Sequence, residues 1–107
     1  MRLIDCKRKE LWRGTIFRFN GKYPFENIVD FMLVDIPYVE SSFALICISG
    51  YYAGACECCL PKEAKNAGTH SISTDWLIKN WNKWVYSECS VNDVLVLEAQ
   101  VPLEGGK

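Results

Sequence analysis

Three stretches of this sequence carry residue types that can do chemistry. The first is Cys56-Glu57-Cys58-Cys59. Thiolates are nucleophiles, redox partners and zinc ligands. On a regular strand, alternation sends Cys56 and Cys58 to one face and Cys59 to the other. Sulfurs so arranged do not close on one zinc, and a structural zinc site takes four ligands. The chain offers a single histidine, His70, and no second ligand pair at metal spacing. The reading is therefore of small thiols, buried or on the surface, with no metal and no cofactor. A small thiol- or metal-dependent enzyme built on Cys56, Cys58 or Cys59 is the alternative. The second stretch is His70 with Ser71 and Ser73 close by. No Cys–His or Ser–His pair stands at motif spacing, which makes His70 a solvated loop histidine and leaves no catalytic set. The third stretch is Gly50-Tyr51-Tyr52-Ala53-Gly54. No lysine follows it, so it is not a phosphate loop. Its glycines suit a tight turn. Adjacent tyrosines at a turn do not easily both face a core, which leaves Tyr51 or Tyr52 as a partner contact.

The elements that must position these residues are legible from periodicity. Residues 74–85 make the one convincing helix. Ser73 or Thr74 supplies its N-cap, Asp75 suits its positive end, and Lys79 and Lys83 lie toward the other. Leu77, Ile78, Trp81, Trp84 and Val85 recur at helical spacing and make one apolar face, with Trp76 flanking it. An isolated helix this short is marginal in water, so its indoles need a sheet to bury against. Residues 15–19, 28–36, 43–48, 55–60 and 94–99 read as strands, punctuated by Asn20-Gly21, Pro37, the glycine turn and Pro61. Residues 1–14 read as a turn of helix or an arm, residues 62–72 as a loop with a short helical turn, and residues 103–107 as a frayed tail. Strands, one helix, then one strand is an α+β order. It predicts a curved, mainly antiparallel sheet or partly open barrel of about five strands, with the tryptophan helix packed on it.

Composition bounds the function. At 107 residues, half of them apolar, the chain is expected to form a single domain (1–107) with a real core. The net charge of -1 announces no nucleic-acid binder. Lys7, Arg8 and Lys9 are basic, but aromatic residues near them stop at Trp12 and Phe17. No run approaches a membrane span, and residues 1–10 contain no signal-type apolar stretch. The six cysteines are thus expected to be free thiols in a cytoplasmic protein. Charge is unevenly distributed: residues 24–61 hold Glu26, Asp30, Asp35, Glu40 and Glu57 and no lysine, arginine or histidine. A contiguous acidic face for a basic partner is the sharper reading of that sector.

Several residue runs together resemble a known family. They are Leu11-Trp12-Arg13-Gly14, Pro24-Phe25-Glu26 with Asp30-Phe31-Met32, Gly50-Tyr51 with Ala53-Gly54, and Leu60-Pro61 with Glu63-Ala64. The most specific is Ser73-Thr74 with Trp76, running through Asn80-Trp81 and Trp84 to Tyr86, Glu88 and Cys89. The pattern, over roughly residues 11–98, is similar to that of the bacterial immunity proteins numbered 45. The resemblance implies a small cytoplasmic antitoxin of a polymorphic-toxin or contact-dependent growth inhibition system. Its partner would be a cognate toxin domain, often a nuclease, blocked by direct binding, with no nucleic acid bound directly and no membrane involved. The resemblance supplies no catalytic residues. The acidic sector, the strand ends and the turns point to Asp35, Tyr38, Glu40, Tyr51, Tyr52 and Glu57 as the partner contacts.

Overall fold

The computed structural model describes residues 1–97. Alternating apolar residues build its sheet. Strands β2 (Ile16–Asn20), β3 (Ile28–Asp35), β4 (Phe43–Cys47) and β5 (Cys56–Cys59) follow one another as an antiparallel meander. A last strand, β7 (Leu95–Leu97), returns to the far edge and pairs antiparallel with β2, giving the order β5-β4-β3-β2-β7. The sheet stays open; it is not a barrel. The sequence expectation of five strands and one principal helix holds. Its finer claims on Glu98, Ala99 and residues 103–107 lie outside the described residues.

Period-two alternation decides which side is buried. Phe17, Phe19, Val29, Phe31, Leu33, Phe43, Leu45 and Val96 are all buried on the inner face. Outward positions carry half-buried Ile16, Met32 and Ile46 in one row across three strands, with exposed Leu95 and Leu97 at the β7 edge. Arg18 and Asp30, opposite one another on the same outer side, join through two hydrogen bonds of 2.8 and 2.9 Å. The carboxylate holds the Arg18 guanidinium further toward its charged form.

Helix α1 (Thr74–Asn80) lies on the inner face. Ser73 caps it: its hydroxyl accepts from the Trp76 backbone N–H at 3.2 Å. Leu77 and Trp81 point into the core. The Trp81 ring stands 5.7 Å from Phe17 and 5.4 Å from Phe19, and Phe19 also meets Phe31 and Tyr86. The α-helix then gives way to a π-helical turn over Trp81–Val85. A wider turn advances each residue through a smaller angle. Three residues past Trp81, the side chain therefore falls short of the core direction. Trp84, expected on the buried stripe, is instead 43% exposed and leans on Trp76 with ring centroids 6.0 Å apart.

One element the pattern does not reveal ties the helix to the N-terminal segment. Strand β1 (Glu10–Leu11) pairs with β6 (Ile72–Ser73), immediately before α1, in a separate two-stranded sheet. Residues 1–14 contain the turn of helix that the sequence suggests, a 3-10 turn over Leu3–Asp5 whose Leu3 is fully buried, and add the short strand that it does not reveal. Among the described residues, no helix is long and apolar enough to cross a membrane.

Candidate functional site

The loop after β3 presents residues that the core cannot use. Backbone bonds from Ile36 N to Ser42 O, and from Ser42 N to Val39 O, fold residues 36–42 into a tight excursion. Its tip leaves Tyr38 97% exposed. An ordinary tyrosine buries much of its ring; this one stands in solvent. Beside it, Val39 and Glu40 line a shallow depression of about 380 Å³ with Cys59, Leu60, Pro61 and Trp84. The floor comes from the end of β5 and the wall from the π turn. Cys58, facing inward, ties those two elements together by donating its thiol hydrogen to the Trp84 carbonyl at 3.2 Å. The depression thus collects Tyr38 and Glu40, both expected from sequence, and Trp84, which was not. The clue to Trp84 lay in the crowding of three tryptophans, Trp76, Trp81 and Trp84, into one short segment, since one helix face cannot bury them all.

The other expected contacts are distributed differently. Asp35 sits at the same end of the sheet but is occupied: His70 Nε2 lies 2.8 Å from its Oδ2, and Arg13 lies 3.8 Å away. His70 is therefore no free loop histidine; its ring also packs on Phe43 at 4.7 Å. Tyr51 and Tyr52 lie beyond the opposite end of β4. Tyr51 is 86% exposed, while Tyr52 packs on Phe25 at 5.1 Å. Glu26 organises that turn by accepting from the Tyr51 backbone N–H at 3.1 Å. Gly50, at φ +66, suits that turn, and a Cβ there would displace the Glu26 carboxylate from it. Glu57 lies mid-strand, half-buried, and burial pushes its carboxyl above the usual range. The acidic sector is consequently not one face. Asp30 and Asp35 are paired with cations from outside it, and Glu26 serves a turn.

The cysteine strand also differs from its regular-strand reading. The β4–β5 register pairs Leu45 with Cys58 but Ile46 with Cys56, so a bulge lies between them with Glu57 as the extra residue. The bulge reverses the expected facing. Cys58 alone points inward, and Cys56 and Cys59 share the outer side. All six cysteines are free. Among the described residues, no group of three or more histidine, cysteine and acidic side chains is placed to hold a metal ion.

Burial, with Cys59 and Cys56 alongside, pushes the Cys58 thiol up from 9.0 to about 11. Below the lower value the thiol is neutral in both folded and unfolded chains. Between the two values the unfolded chain ionises and the folded one does not, so stability falls as pH rises through that window. The expected result is a decline in unfolding free energy from urea titrations across it, with a shallower decline in Cys58→Ala.

A family model for immunity protein 45 matches residues 3–96. The chain belongs to that family. Neither the curated proteins nor the solved structures returned a match. The immunity protein 45 match runs from the buried Leu3 into β7, so the exposed Tyr38 loop and the π turn both lie inside it. Membership of an immunity family carries a toxin-neutralising role and implies a toxin protein as partner.

Proposed function

We propose that this immunity protein neutralises a cognate toxin domain, of nuclease type, by direct complex formation in the bacterial cytoplasm, and that residues 1–107 act as one unit in doing so. The observation that carries the reading is Tyr38, almost wholly exposed above a depression walled by Trp84. Tyrosine and tryptophan are the side chains that most often anchor protein interfaces, because they bring area at low entropic cost. Glu40 on the rim supplies negative charge, and Tyr51 provides a second anchor at the far end of the sheet. A nuclease toxin carries a basic cleft, and acidic rim groups steer association with it. Asp35, Tyr52 and Glu57 act behind this surface: the first holds the Arg13 and His70 side chains, the second seats the turn beneath Tyr51, and the third shapes the bulge. The immunity protein has no catalytic part in this scheme; occupancy alone blocks the toxin.

The test is co-expression with the toxin fragment encoded immediately upstream, as used by polymorphic and contact-dependent systems. Surviving cells and a co-purifying stoichiometric complex are expected. Cell death despite soluble immunity protein, or no complex, overturns the reading.

A further inference from the structure

The bulge in β5 creates a feature that toxin binding does not call for. On a regular strand, residues three apart point to opposite faces. Here the extra residue, Glu57, returns Cys59 to the side that Cys56 occupies, and their sulfurs lie 4.0 Å apart. Both side chains are exposed. They lie on an edge strand, whose backbone is paired only with β4 in the sheet. The remaining thiols do not compete. Cys58 faces the core and donates to Trp84, Cys47 is buried and donates to the Ser49 carbonyl at 3.2 Å, and Cys89 is buried with its thiol toward the Ser90 carbonyl. Cys6 is in the N-terminal segment, in a hollow lined by Leu11 and Trp12.

We propose that Cys56 and Cys59 form a reversible modification site: a vicinal dithiol that closes to an intramolecular disulfide on reaction with a small-molecule disulfide such as oxidised glutathione. One thiolate attacks a sulfur of the oxidant, forming a mixed disulfide and releasing the first small thiolate. The second cysteine, as thiolate, attacks the mixed disulfide at the protein sulfur and releases the other. The two protein thiols lose two protons and two electrons, and the oxidant leaves as two thiols. A disulfide needs the sulfurs at about 2.05 Å, so the side chains must close roughly 2 Å, a movement that exposed rotamers on an edge strand allow. The partner reading plays no part in this site, though Cys59 also lines the depression beside Tyr38 and Trp84.

The test treats the purified full chain with oxidised glutathione at mildly alkaline pH, followed by intact-mass measurement, thiol titration after denaturation and peptide mapping. The expected result is a mass lower by two hydrogens, two fewer titratable thiols, a bridge mapped to Cys56–Cys59, and full reversal by dithiothreitol. Cys56→Ser and Cys59→Ser, both exposed positions, are expected to stop at a single glutathione adduct on the surviving cysteine. A wild-type chain that stays reduced, that carries separate adducts on the two cysteines, or whose bridge maps elsewhere overturns the proposal. So does an internal bridge formed equally well in either serine variant.

Discussion

Trp81→Ala is expected to remove about 3–5 kcal/mol of stability, the range for truncating a large buried aromatic. A typical domain holds only about 5–15 kcal/mol in total, so this one change takes a large share of it. The reason is positional. Trp81 is fully buried, stands against both Phe17 and Phe19, and marks the point where α1 turns into the π segment. Phe19 in turn touches Phe31 and Tyr86, so a void at Trp81 loosens the packing between helix and sheet. Trp81→Phe separates volume from polarity. The indole Nε1 is buried without a hydrogen-bond partner, and a buried unpaired donor costs about 1–3 kcal/mol. Phenylalanine removes that donor and keeps much of the ring, so its net effect should be far smaller, about 1 kcal/mol or less. Urea unfolding of the three proteins measures this. Equal losses for alanine and phenylalanine would show that the indole nitrogen is satisfied in solution.

Tyr38→Ala is expected to weaken the toxin complex by about 2 kcal/mol or more, close to thirtyfold in Kd, chiefly through faster dissociation. The same change should alter unfolding free energy by no more than about 0.5 kcal/mol, because the side chain is almost wholly in solvent. That contrast makes it informative: a large binding loss with unchanged stability locates a contact, whereas the Trp81 variants cannot. Glu40→Gln should act differently, slowing association and flattening its dependence on salt while leaving dissociation nearly unchanged. Tyr51→Ala is the decisive comparison, since Tyr51 lies at the other end of β4. If it alone weakens binding, the toxin docks on the glycine-turn end and the depression beside Trp84 is not the interface. Surface plasmon resonance with each variant gives both rates.

The large elements were readable because their signals are local. Alternation in residues 15–19 and 28–36, and the Ser73 cap before an apolar stripe, each involve neighbours only. What escaped depended on a change of period or on a distant partner. A π turn alters the angular step partway through the helix, and nothing in Asn80-Trp81-Asn82 announces it, so helical spacing alone puts Trp84 inside. The bulge at Glu57 did the same to the cysteines, inverting which two share a face. The pairing of Glu10–Leu11 with Ile72–Ser73 involves strands too short to show alternation. Asp35 with His70 and Arg13 joins three segments distant in sequence, so the charge count of residues 24–61 overstated the acidity available to a partner. Tyr38 and one of the Tyr51-Tyr52 pair were legible as exposed because they sit in turns; which of the pair turns outward was not, since it depends on Phe25, distant in sequence, which receives Tyr52 and leaves Tyr51 in solvent.

The strand order also sets a timetable for synthesis. Strands β2 to β5 are consecutive and can zip together as they leave the ribosome. The open edge of β2 cannot be closed until Leu95–Leu97 arrive to pair with Ile16–Arg18. The same late segment receives the chain's beginning, through Leu3 N to Val94 O and Val96 N to Met1 O, both at 2.8 Å. Ladders between such distant segments form slowly, and an unpaired edge is a template for aggregation while it waits. A ribosome stalled before residue 95 therefore holds a chain with its Tyr38 loop already made but its sheet unsealed. The interval that matters for a sealed sheet thus runs to the arrival of β7 and not to the first appearance of the Tyr38 loop.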